Sequence, residues 1–382
     1  MTPSGPSAKP RVAVLFGGRS SEHAISCVTA ASVLAAVDRT RYDVVPIGIT
    51  RSGQWVLVDD DPERLRIVDG KLPEVPAAGE RVALAQDVDA RALHRLDVPA
   101  VAADLGVDVV FPLLHGPYGE DGTLQGLLEM SGTRYVGSGV LASAAGMDKQ
   151  AMKTMLAGAG LPVGPWWWGT ARRWEADREA CRAEVAALGL PVFVKPARAG
   201  SSIGITRVDE PGQLDAAVDA ALEHDPKFLV EARVSGREVE VGVLQAPDGT
   251  LTASLPGEVE VVDGRAFYDF EAKYLDAAAV RISCPADLPA DVTDAVRRTA
   301  VEVFAAMGAE GLARVDLFVD VDPVPGEGGD GAARVVVNEI NTMPGFTPTS
   351  MFPQLWAASG VSYEELVDRL LQQALHRPAG LR

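Results

Sequence analysis

Apolar residues fall in short runs separated by glycine turns and by stretches with helical spacing. Val12-Ala-Val-Leu-Phe16 breaks at Gly17-Gly-Arg-Ser-Ser21 and gives way to Glu22–Val37, rich in Ala, Val and Leu. Tyr42 to Thr50 follows as a β-branched run. Strand, glycine turn, helix, strand is the opening of a parallel α/β unit. The strand pattern returns at Val107–Leu114, followed by a polar loop to Gly122 and a helix to about Met130. Tyr135–Gly139 then leads into an Ala-rich pattern that predicts one long helix, ended by Gly160-Leu-Pro162. Residues 1–10 read as a disordered tail, and 59–104, weakly patterned and rich in Asp, Ala and Pro, as a peripheral insertion.

From Pro162 the texture changes. Pro191–Pro196 and Ile205–Val208 read as strands around a loop of small residues, with a helix over Pro211–Glu223. Further strands are expected at Phe228–Glu231, Glu238–Gln245, Leu312–Val319 and Arg334–Ile340, the last two joined as a hairpin through 321–331. Leu288–Met307 and the amphipathic Tyr363–His376 complete the helices. The divisions are 11–145, 146–235 and 236–382, an α/β and α+β multidomain chain.

Composition narrows the function classes. The 382 residues carry 35 Lys and Arg against 53 Asp and Glu, a net charge of −18. Bulk charge therefore disfavours nucleic acid or an anionic membrane as partner, and any phosphate must be gripped locally. Cys27, Cys181 and Cys284 are too few and scattered for a disulfide framework or a zinc site. No apolar run reaches the ~18 residues of a membrane span, and Met1–Arg11, rich in Pro, Ser and Gly, lacks the apolar core expected of a signal peptide. A cytoplasmic protein is expected.

Several familiar signatures fail. Gly137-x-Gly139-x-x-Ala142 has the spacing of a dinucleotide fingerprint but no acidic residue about 20 positions on. Walker A and HExxH sequences are absent from the chain, and no GxSxG elbow between a strand and a helix is expected. Three constellations remain. Lys195 ends an apolar strand, and Arg198–Gly204 follows, a loop whose bare N–H groups and serines suit an anion; an ordinary hairpin turn with a solvated lysine is the alternative. Arg314 and Asp316 share one strand face, and Glu339 and Asn341 share another, so a hairpin would unite them as hard oxygen ligands for Mg²⁺. A surface ladder of charges competes, but both strands are otherwise apolar, where bare charge is costly. Thr342–Ser350 follows as a loop with the glycine and hydroxyls to bind an anion. Glu22 and His115 each sit just past a strand's carboxyl end, where α/β sheets bind ligands; helix capping and a loop hydrogen bond are their structural alternatives. Trp166-Trp-Trp168 reads as core or interdomain packing.

Taken together these blocks resemble the D-alanine–D-alanine ligases of the ATP-grasp superfamily. The matching stretches are Leu15–Ser26, His115–Gly126, Met147-Asp-Lys149, Val194–Gly204, Phe267–Tyr274, Gly311–Asp316 and Asn338–Thr347, in family order over nearly the whole chain. The resemblance implies an N-terminal Rossmann-like parallel α/β domain followed by a two-subdomain ATP-grasp fold with ATP between its halves. It implies that Lys149 and Lys195 contact the ATP phosphates, under a loop carrying Ser201 and Ser202. Glu231 and Glu238 would hold adenine and ribose; Asp316, Glu339 and Asn341 would bind two Mg²⁺ or Mn²⁺. Glu22 would take the first D-alanine's ammonium, with His115 near its carboxylate. Lys273 would neutralise the transferred phosphate, and Tyr274 would lie on a lid. Arg314 and the Gly345 N–H would hold the oxyanion, and Ser350 the second D-alanine's carboxylate. A homodimer is implied by the family alone. Ala232 and Arg233 stand after Glu231 where the family often has a lysine first, a departure on the adenine side.

Rival readings are a D-alanine–D-lactate or D-alanine–D-serine ligase, and a non-catalytic ATP-binding protein of the same fold. The stretch Tyr268–Tyr274 resembles the D-alanine-using type. Arg314, the three metal ligands and Glu22 exceed what nucleotide binding alone requires.

Overall fold

The computed structural model describes residues 9–85, 93–99, 104–200, 203–261, 280–321 and 333–378. Three main sheets organise it. In the first, β1 (Arg11–Gly17) is central because Val12 to Phe16 are all apolar and fully buried, as a strand covered on both faces requires. It pairs in parallel with β2 (Asp43–Ile49) on one side and, on the other, with β6 (Val109–Pro112). β3 (Trp55–Leu57) adds an antiparallel edge, giving the order β3-β2-β1-β6. Helix α1 (His23–Ala36) returns from β1 to β2. The chain leaves β1 for neighbours on opposite sides, so the loops after β1 and β6 open a crevice at the strand ends. Those loops carry Glu22 and His115.

The segment 59–104 is not merely peripheral. Its strands β4 (Val82–Leu84) and β5 (Leu93–Arg95) form a small ladder, but Val75 is buried against Gly17 and Gly48. A Cβ on Gly48 would come within 2.5 Å of Val75, and one on Gly17 within 2.4 Å of the Ile49 carbonyl oxygen. The Val75 N–H donates to His23 Nε2 at 3.1 Å, and His23 Nδ1 meets the Gly18 carbonyl at 2.7 Å. The insertion thus braces the turn that presents Glu22. A single apolar residue in a polar stretch leaves no periodicity to read.

Beyond α2 (Thr123–Met130), the expected long helix is two: α3 (Val140–Met147) and α4 (Lys149–Gly158). Asp148 leaves helical geometry and its Oδ1 accepts from the Gln150 and Ala151 N–H groups, both at 3.1 Å. An N-cap of this kind restarts the helix, with Lys149 as its first residue.

The second sheet is antiparallel, in the order β7-β10-β8-β9: β7 (Trp166–Thr170), β8 (Val192–Pro196), β9 (Thr206–Val208) and β10 (Lys227–Ala232). Helices α5 (Ala171–Ala176), α6 (Arg178–Ala186) and α7 (Leu214–Leu222) accompany it. The tryptophan run is its edge strand, and Trp167 packs on Phe228 within this domain, ring centroids 5.7 Å apart.

The third sheet runs β14-β13-β11-β15-β16, built from β11 (Arg237–Gln245), β13 (Gly257–Val261), β14 (Val280–Ser283), β15 (Leu312–Asp320) and β16 (Arg334–Asn341), with β12 (Leu251–Ala253) paired to β11. Helix α8 (Ala290–Ala306) covers it through Val296, Ala300, Val303 and Phe304. Two last helices, α9 (Met351–Ala358) and α10 (Tyr363–His376), return to the first domain. Phe352, Leu366 and Leu370 join Val12, Phe16 and Phe111 in one core, and Tyr42 donates to Asp368 at 2.6 Å. Among the described residues no helix is long and apolar enough to cross a membrane.

Candidate active site

β15 and β16 bring the two expected pairs into direct register, Arg314 opposite Asn341 and Asp316 opposite Glu339. Arg314 Nε and Nη2 each donate to a different Asp316 oxygen at 2.7 Å, and Asn341 Nδ2 donates to Asp316 Oδ2 at 3.1 Å. On the other flank β11 places Glu240 opposite Asp316, with Glu240 Oε2 at 2.9 Å from Arg314 Nε. Burial works against the Arg314 charge, but Asp316 and Glu240 outweigh it and hold its pKa well above the usual guanidinium value.

Like charges directly opposite on neighbouring strands destabilise a sheet, so Asp316 facing Glu339 calls for a cation. Two carboxylates and an amide oxygen are hard donors of the kind Mg²⁺ takes alongside phosphates. Among the described residues no three His, Cys, Asp or Glu side chains converge into a ready-made cage. That fits a cation completed by a ligand's own oxygens rather than one held by protein alone.

Lysines stand across the cleft. Lys149, opening α4, donates from Nζ to the Ala199 carbonyl at 2.8 Å and lies 4.0 Å from Glu339. Lys195 on β8 pairs with buried Glu231 of β10, which also binds Lys153 at 2.7 Å. Burial would raise the Glu231 pKa, yet the two lysines carry it down to about 2. Lys195 is likewise desolvated, and Glu231, with Glu339 and Glu238 further off, pushes its pKa above the ordinary value. Glu231 thus pairs with Lys195 from outside the cleft lining, and Glu238 is exposed and does not line the cleft either. Ser201, Ser202, Lys273 and Tyr274 lie outside the described residues.

At the far end, Glu22 reaches over Gly116, where a Cβ would meet its Oε2 at 2.8 Å. His115 is buried with no partner for Nε2 among the described residues; burial lowers its pKa while Glu22 pulls it back up. Glu120, from the same loop, accepts from the Gly116 N–H at 2.6 Å. Burial, then the nearby Glu22 charge, raise its pKa to about 8. Ser350 Oγ accepts from the Thr347 N–H at 3.2 Å beside Gly345.

One cleft of about 670 Å³ collects these groups from all three sheets: Glu22, His115, Lys149, Lys195, Arg314, Glu339, Asn341, Gly345 and Ser350 all line it. Asp316 is not among the lining residues; its carboxylate is held by Arg314. Two lining residues, Glu120 and Glu240, escaped the sequence reading, as did Lys153, which pairs with Glu231. Lys153 follows Lys149 by one helical turn and Glu240 follows Glu238 on one strand face, spacings that could have marked both.

Two antiparallel sheets flanking a lysine-lined cleft, with a parallel α/β domain closing its end, define an ATP-grasp enzyme. Family models described as D-ala D-ala ligase N-terminus and C-terminus match residues 11–138 and 155–372. A curated D-alanine–D-alanine ligase of Kineococcus radiotolerans is 69% identical over 380 residues, 98% of this chain and 99% of that protein. Among solved structures, the D-alanine–D-alanine ligase of Coxiella burnetii superposes with TM-score 0.78 at 32% identity, over 96% of this chain and 94% of that one. The D-Ala:D-Ser ligase of Enterococcus faecalis gives 0.79 at 33%, covering 96% and 99%. The chain belongs to the D-alanine–D-alanine ligase family.

Proposed function

We propose that this chain joins two D-alanines at the expense of ATP, through a D-alanyl phosphate, in the supply of peptidoglycan precursors. The observation that carries this reading is the facing register of Arg314–Asp316 and Asn341–Glu339, across the cleft from Lys149 and Lys195 and below Glu22 and His115. A carboxylate is a poor electrophile, so one D-alanine carboxylate oxygen first attacks the γ-phosphorus and ADP leaves. The second D-alanine's neutral amine then attacks the acyl carbon, and phosphate departs with the oxygen it gained.

In the first step the protein's work is positioning and charge neutralisation. Lys149 and Lys195 hold the phosphates, and Glu231 keeps Lys195 charged despite its burial. Glu22 takes the ammonium of the first D-alanine, and His115, its Nε2 without a partner among the described residues, meets the carboxylate side. Asp316, Glu339 and Asn341 would hold two Mg²⁺ or Mn²⁺, which supply charge neutralisation at the phosphates when bound. In the second step Arg314 and the Gly345 N–H face the oxygen on which charge develops, while Ser350 receives the second substrate's carboxylate. Ser201, Ser202, Lys273 and Tyr274 are assigned to cover the phosphates and exclude water, with Glu231 and Glu238 on the adenosine side.

The 69% identity to a D-alanine–D-alanine ligase favours D-alanine as the second substrate. We place the enzyme in the cytoplasm, where ATP is available, and propose a homodimer. Tyr118, Leu127, Met130, Val140 and Leu141 expose large apolar side chains around α2 and α3, the kind of patch that marks association. Phosphate release with ATP and D-alanine, D-lactate or D-serine tests the substrate assignment. Release that does not depend on D-alanine contradicts it; sedimentation tests the dimer.

A further inference from the structure

Glu240, Asp316 and Glu339 form one cross-strand row over β11, β15 and β16. The metal reading above uses Asp316 and Glu339 and leaves Glu240 without a task. Its side chain is 9% exposed and lines the cleft beside Arg314. An acidic group is not kept in such a place without a cationic partner, and that partner is Arg314, at 2.9 Å.

Arg314 is shared unequally. Both Asp316 oxygens accept its N–H groups, while Glu240 pairs with it as a second carboxylate, Oε2 at 2.9 Å from Nε. Asp316 cannot give the same lone pairs to a guanidinium and to a divalent cation, and the cation itself repels the guanidinium. As Asp316 turns to the cation, Arg314 loses its main partner. A buried guanidinium left unpaired is strongly destabilising. Glu240, on the strand away from Glu339, is the carboxylate still in place.

We propose that Glu240 is a positioning residue that retains Arg314 in the cleft when Asp316 is committed to the metal. The proposal rests on the metal role given to Asp316. Two effects follow. Glu240 lowers the cost of releasing Asp316 to the cation, and it fixes the guanidinium where the oxyanion forms.

The test measures Mn²⁺ binding by electron paramagnetic resonance with ADP present, together with kcat at saturating Mn²⁺. Wild type, Glu240→Gln, Arg314→Met and the double variant are compared. Glu240→Gln is expected to weaken Mn²⁺ binding and to lower kcat by roughly 10- to 100-fold, the range for groups that orient metal-site residues. Saturating Mn²⁺ does not restore kcat. In the Arg314→Met background the same substitution changes Mn²⁺ affinity far less, because no guanidinium remains to be released. An equal loss in both backgrounds shows that Glu240 acts on the metal by charge alone and overturns the proposal. So does a Glu240→Gln enzyme with wild-type affinity and kcat. Failure of wild type to bind Mn²⁺ beyond what ADP binds overturns the metal reading itself, a separate result. Should Glu240→Gln not fold, Glu240→Asp decides. It keeps the charge but withdraws the carboxylate by a methylene, so kcat is expected to fall about tenfold with Mn²⁺ affinity little changed. An unchanged kcat then overturns the proposal.

Discussion

Asp316 and Glu339 stand directly opposite each other on adjacent antiparallel strands, two carboxylates where a sheet would ordinarily pair opposite charges. Under the proposed metal role, this like-charge contact is the cost of a cation site. Asp316→Ala and Glu339→Ala are each expected to lower turnover by at least about 10²-fold, since the phosphate oxygens lose their neutralising partner. Glu339→Gln, which also removes the like-charge contact, is expected to melt no lower than wild type. Near-wild-type turnover at ordinary Mg²⁺ in either alanine variant contradicts the assignment.

Arg314→Lys keeps a charge but not the planar fork that engages both Asp316 oxygens. A loss of about 10²–10³ in kcat is expected, the usual effect of removing one oxyanion donor. Steady-state rates within a few-fold of wild type reduce Arg314 to a structural partner of Asp316.

Asp225 anchors the start of the loop proposed to face the phosphates. Its buried carboxylate accepts from the Arg198 N–H at 2.9 Å, from Arg198 Nε and Nη2 at 2.9 and 2.7 Å, and from the Lys227 N–H at 3.0 Å. The next residue but one along the loop is Gly200, and the Ala199 carbonyl between them holds Lys149. Asp225→Asn weakens charge-assisted bonds worth roughly 1.5–3 kcal/mol, so KM for ATP is expected to rise about tenfold. KM for D-alanine should stay near wild type. Equal rises in both would make the effect a general loss of folded enzyme.

Glu120 gives a pH dependence. Burial first, then the Glu22 charge, lift its pKa from an ordinary 4.5 to about 8. The folded chain therefore holds a proton between those values that the unfolded chain has released. Through this group, stability is greatest below about 4.5 and falls as pH rises toward 8. Melting temperatures at pH 6 and 9 should differ less in Glu120→Gln than in wild type. Identical differences contradict the placement of Glu120 beside Glu22.

Legibility followed local signal. The Arg314–Asp316 and Glu339–Asn341 pairs could be read because charged residues interrupt two otherwise apolar strands at period two. Helix α10 carries a clear amphipathic pattern and runs over Tyr363–His376 as expected. The break at Asp148 was hidden because alanine-rich sequence on both sides is equally helical, and only the cap's hydrogen bonds reveal it. Helix α9 begins Met-Phe-Pro after a Pro/Thr/Ser loop; Pro353 is tolerated in the first turn, where no N–H partner is needed. Glu240 shares a strand face with Glu238, yet the first is buried and the second exposed. That contrast comes from the neighbouring Arg314 and from the walls of the cleft, which no local pattern encodes.

The most direct test follows oxygen from substrate to phosphate. The enzyme is incubated with ATP, Mg²⁺ and D-alanine labelled with oxygen-18 in both carboxylate positions, and the dipeptide and phosphate are analysed by mass spectrometry. A D-alanyl phosphate requires D-alanyl-D-alanine to form with one labelled oxygen in each phosphate released and one in the peptide carbonyl. Unlabelled phosphate would contradict carboxylate activation at this site, and labelled phosphate released without dipeptide would contradict ligation.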